Sequence, residues 1–60
     1  MNAQTESELA IAVRNARHYA ALARRYRFMK PDPDLELHYW IKATAWLGMV
    51  QAEIGIANRL

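Results

Sequence analysis

The stretch YWIKATAWLGMVQAEIGIA, Tyr39 to Ala57, has the spacing of a helix but almost no polar side. On a wheel of about 100° per residue, Leu35, Tyr39, Ala43, Trp46, Leu47, Val50, Ile54 and Ala57 form one apolar face. Leu37, Ile41, Ala45, Gly48, Ala52 and Ile56 form a second, roughly opposite. Upstream, Leu9, Ala12, Val13, Ala16, Ala20 and Ala23 recur at helical spacing. Ile11, Leu22, Tyr26 and Met29 widen that arc, with Tyr19 between. Nothing in the chain alternates as a half-buried strand does. The pattern predicts two helices, over residues about 6–29 and about 33–58.

The break between them is KPDPD, Lys30 to Asp34, where two prolines within three residues end one helix and start the next. Asp32 is placed to cap the second helix, with Pro33 at its first position and Asp34 and Glu36 in its first turn. Thr5 and Glu8 have the spacing of a capping box for the first helix. A turn this short makes the helices antiparallel. Residues at one level then have numbers that sum to about 62 or 63, the sum across the break. Ala23 falls level with Tyr39 or Trp40, Tyr19 with Ala43, Ala16 with Trp46 or Leu47, and Ala12 or Val13 with Val50. Large meets small at each level, as close packing requires. The expected fold is all-α: one antiparallel two-helix hairpin spanning residues 1–60 as a single domain.

The second apolar face of helix 2 has no partner in this arrangement. A helix that is apolar all round is buried all round, and a hairpin cannot surround one of its own helices. Gly48 lies mid-helix, where glycine costs about 1 kcal/mol relative to alanine. A close helix contact there, with Ala45 and Ala52 beside it, would offset that cost. Two hairpins are therefore expected to pair as a homodimeric four-helix bundle through Leu37, Ile41, Ala45, Gly48, Ala52 and Ile56. Chain length points the same way. Sixty residues bury only about 60% of their unfolded surface, and the absence of cysteine removes disulfides and thiolate metal sites.

Composition narrows the classes further. The chain is 53% hydrophobic with two glycines and two prolines, which argues against disorder. The N-terminal residues lack the basic and apolar regions of a secretory signal. Lys42, Gln51 and Glu53 interrupt the long apolar stretch, so a membrane span or membrane partner is not expected. A cytoplasmic location fits.

Net charge is +2, but six of the eight basic residues lie between Arg14 and Lys30. Arg14, Arg17, Arg24 and Arg25 fall on the polar arc of helix 1, a stripe suited to phosphates. Phe28 falls outside the apolar arc of that helix, and Trp40 at the edge of the helix 2 face. Arginines beside exposed aromatics are common in protein interfaces. Arg24, Arg25, Phe28 and Trp40 are thus a candidate protein-binding patch at the loop end.

Catalytic chemistry has no foothold. Ser7 stands near a chain end with no base paired to it, and no glycine-rich turn presents a nucleophile. Asp34 and His38 share a helix face without a third ligand, so no metal or other cofactor is expected. Glu53 lies on the face with Leu35 and Trp46, near Lys42, where a half-buried ion pair or a place beside the interface is expected rather than a catalytic role.

In size and layout the chain resembles the Rop-type plasmid copy-number regulators, RNA-binding hairpins of about this length that pair into four-helix bundles. The likeness is one of architecture. No stretch of sequence matches, and no RNA-contacting residue carries over. The expectation is a non-enzymatic regulator, inhibitor or adaptor that binds another protein, of the kind phages and mobile elements direct at host factors. The alternative is an RNA- or DNA-binding regulator that uses the paired arginine stripes.

Overall fold

In a computed structural model, which describes residues 7–59, the chain forms α1, Glu8–Phe28, and α2, Pro33–Arg59. The two helices pack against each other as an all-helical hairpin. Its thinnest dimension is 13 Å, close to the diameter of one helix with its side chains. Among the described residues, no second layer stands over either side.

Both helices start where a side chain satisfies an end amide. The Ser7 hydroxyl accepts a hydrogen bond from the Ala10 amide at 3.1 Å, so Ser7 caps α1. The capping box expected from Thr5 and Glu8 has its first residue, Thr5, outside the described residues; the cap described is Ser7. Asp32 caps α2 as the sequence predicts. Its carboxylate accepts from the Leu35 amide at 3.1 Å, and its carbonyl accepts from the Glu36 amide at 2.9 Å.

Between the helices, the turn folds back on the end of α1. The Arg25 carbonyl accepts from the amides of Met29 and Lys30, and the Tyr26 carbonyl accepts from the Asp32 amide at 2.8 Å. Carbonyls left open at a helix C-terminus are thereby used. Among the described residues no backbone enters the left-handed region. The stop comes from Pro31 and Pro33, with no glycine needed.

The seam between the helices is lined with alanine. Ala12, Ala16, Ala23 and Ala43 are buried, and among the described residues no larger side chain is. These are the small members of the level pairs read from the sequence. Their partners are covered only in part. Leu47 and Ile54, assigned to the inner face of α2, remain 50% and 45% exposed. Two cylinders touch along a line, so only residues on that line are fully enclosed.

Aromatic rings add further inter-helix contact. Tyr39 of α2 stacks between two tyrosines of α1, with Tyr19 at 6.1 Å and Tyr26 at 5.7 Å between ring centroids. Stacked pairs of this sort contribute about 0.5–1.5 kcal/mol beyond area burial. His18 and His38 present edge contacts to Tyr19 and Tyr39, so the two histidines flank the stack without meeting.

Candidate interaction surfaces

The side of α2 turned away from α1 carries Leu37, Ile41, Ala45, Gly48, Ala52 and Ile56. Every one of them is exposed. Leu37, Ile41 and Ile56 keep 60%, 61% and 53% of their surface in solvent. A Cβ built on Gly48 would meet nothing within 4 Å. The hairpin therefore makes no use of the close approach this glycine permits. Beside the stripe lies an open groove of about 440 Å³, lined by Lys42, Ala45, Trp46 and Met49. Met49, 44% exposed, extends the apolar strip toward it.

The opposite edge of the hairpin is basic. Arg14, Arg17, Arg24 and Arg25 are exposed along α1, and so are His18 and Arg27. The chain alternates these cations with the alanine seam, so that packing the seam against α2 turns the arginines outward. Thus α2 offers an apolar outer side and α1 a cationic one.

The loop-end patch is only partly assembled. Phe28 is 69% exposed, with the Arg27 guanidinium 5.2 Å from its ring centroid. Arg24 and Arg25 are exposed on the same helix. Trp40 behaves differently from the expectation of a free aromatic. It is half-buried, and its indole Nε1 donates to the Glu36 carboxylate at 3.0 Å. The reason is local: Glu36 precedes Trp40 by four residues, one turn away on the same face. That spacing was visible in the sequence.

Lys42 also finds a partner other than the one expected. Its ammonium lies 5.7 Å from the Tyr19 ring centroid, across the seam. Glu53 stands eleven residues further along α2, about 16 Å at 1.5 Å per residue, too far for an ion pair within the chain. Among the described residues, no three of histidine, cysteine, aspartate or glutamate cluster closely enough to hold a metal ion. No described helix is long and apolar enough to cross a membrane.

No family model, curated protein or solved structure matches the chain.

Proposed function

We propose that the protein is a non-enzymatic helical regulator that pairs with a second copy in a four-helix assembly and binds another protein. The observation that carries this reading is the outer side of α2, where Leu37, Ile41 and Ile56 stay more than half exposed along one stripe. An apolar surface of this continuity marks an interaction site. The groove beside it offers one titratable side chain, Lys42, with no histidine, carboxylate, hydroxyl or thiol among its lining residues. Binding, rather than bond-making, is the chemistry these surfaces offer. Its effect on a partner would be steric, by covering a dimerisation or ligand surface or by bridging two molecules.

The first test is the mass in solution. Sedimentation equilibrium at micromolar concentration should give about twice the monomer's 6.9 kDa; a clean monomer would refute the pairing. The second is affinity capture from the source cell with and without nuclease. A companion protein that survives nuclease treatment supports the reading, and one that is lost with RNA or DNA removes it.

Nucleic-acid binding is a second reading, favoured by one observation: the exposed arginine row of α1. It requires an affinity that falls steeply from low to moderate salt. It also requires that Arg17→Glu with Arg24→Glu abolish RNA or DNA binding while the helical content is unchanged.

A further inference from the structure

The charges along the outer side of α2 specify how two copies meet. Asp34 lies in the first turn of α2 and Arg59 in its last. Both fall on the wheel with Ile41 and Ala52, in the middle of the exposed stripe. Lys42 and Glu53 fall together on one flank of it. Within a chain, neither acid can reach its opposite charge along the helix. The separations are about 37 Å from Asp34 to Arg59 and about 16 Å from Lys42 to Glu53.

Resting on the dimer reading above, we propose that two α2 helices pair antiparallel about a two-fold axis level with the bond between Trp46 and Leu47. Residues whose numbers sum to 93, the sum of 34 and 59, then stand opposite each other. Asp34 faces Arg59 of the second copy, Leu37 faces Ile56, Ile41 faces Ala52, and Ala45 faces Gly48. Lys42 comes within one helical turn of the level of Glu53 across the interface. Each of these contacts occurs twice, as an isologous interface demands.

Three features favour this occupant and this direction. In the parallel arrangement, Asp34 and Arg59, in the middle of the stripe, would each face its own copy, like charge on like, and Lys42 and Glu53, on one flank, would lie on opposite sides of the seam in the two copies. In the antiparallel one both kinds of pair become attractive, and the two helix dipoles also oppose. Size is complementary too. The smallest residues, Ala45 and Gly48, sit at the axis, where the helices approach closest, and the space around Gly48 is open. Larger Leu37 and Ile56 meet where the helices diverge. Finally, α2 is 27 residues long, about 40 Å. The stripe from Asp34 to Arg59 runs nearly the whole of that length, so two copies can meet along it. The assembly has the two α2 helices at its centre and α1, with its arginines, on each outer edge.

The chain has no cysteine, so introduced thiols report geometry cleanly. Full-length chains carrying Asp34→Cys or Arg59→Cys are mixed and oxidised. The expected product is the 34–59 heterodimer, with little 34–34 or 59–59 link. Abundant 34–34 and 59–59 links from a dimeric wild type would overturn the antiparallel register and leave the dimer standing. A monomeric wild type by sedimentation would overturn both, and would assign the stripe to a different protein. Charge exchange gives an independent readout. Lys42→Glu alone and Glu53→Lys alone should each weaken dimerisation about tenfold, the loss of two symmetric pairs. The double variant K42E/E53K should recover the wild-type affinity. A double variant no tighter than the singles would overturn the proposed pairing, because loss of the Lys42 contact to Tyr19 predicts no such recovery.

Discussion

The two long sides of α2 differ in a way that composition alone does not show. Facing α1, the helix presents Ala43, buried in a seam that also buries Ala12, Ala16 and Ala23 of α1. Facing away, it presents Leu37, Ile41 and Ile56. The intramolecular seam is thus tight but small, and the larger apolar side chains lie outside it. Alanine lets helix backbones approach and gains many close contacts, yet each methyl removes little area from water. Leucine and isoleucine would remove far more, and the hairpin leaves them wet. A chain built this way gains shape from its seam, and under the proposed pairing it gains further stability from the second copy laid on its other side.

Filling the seam should have the largest effect. Ala23 is fully buried, and Ala23→Leu places three more carbons where none fit. Overpacking costs about 1–3 kcal/mol, and here the upper end is expected because both helices would have to separate. The circular-dichroism melt should shift down sharply, with helical content lost at room temperature. A variant that melts like the wild type would mean that the seam is loose.

The outer side should give a smaller loss, and one that depends on concentration. Ile41→Asp does little to a lone hairpin, where residue 41 already faces water. In an assembly it buries a carboxylate and should cost on the order of 2 kcal/mol. The wild-type melting temperature should rise with protein concentration, as linkage requires, and that of the variant should rise far less. Equal concentration dependence in both would remove the outer side from the interface.

How much of this contrast was legible in the sequence follows from which residues report it. The prolines and Asp32 fix the break, and the level pairing picks out Ala12, Ala16, Ala23 and Ala43 as the small members. The tyrosine stack was harder to see. Level counting places Tyr39 beside Ala23 and Tyr19 beside Ala43, because it follows Cα positions. The rings reach along the axis, and in helices long side chains lean toward the N-terminus. In antiparallel helices Tyr26 and Tyr39 therefore lean toward each other. The clue was that the level of Tyr39 falls midway between Tyr19 and Tyr26. The wheel also overstated the inner face of α2, since it counts directions and not the narrow line that a second helix covers. The surfaces were legible as surfaces. Their partners are not, because an exposed leucine or arginine carries no record of what binds it.

A cap lies outside the contrast and serves as its control. Asp32→Ala removes the acceptor for the Leu35 amide and should cost about 1 kcal/mol. The shift in melting temperature should be the same at every protein concentration if the cap acts within one chain. A concentration-dependent shift would tie the loop end to the interface.

The smallest expected effect is the sharpest, because its sign separates the two sides. A methyl carbon added at Gly48 or at Gly55 would have no neighbouring atom within 4 Å. Alanine is therefore free to enter at either position in a lone hairpin, and helix propensity favours it by up to about 1 kcal/mol. Gly55→Ala should raise the melting temperature by a few degrees. Gly48→Ala should do so only at concentrations where the chain is monomeric. Where two copies meet with Gly48 against Ala45, the added methyl holds the helices apart, and the gain in propensity is offset or reversed. The measurement is the difference between the two variants across a dilution series. Parallel gains at all concentrations would mean that no helix rests on Gly48, and its place in the middle of α2 would then have to be explained without a partner.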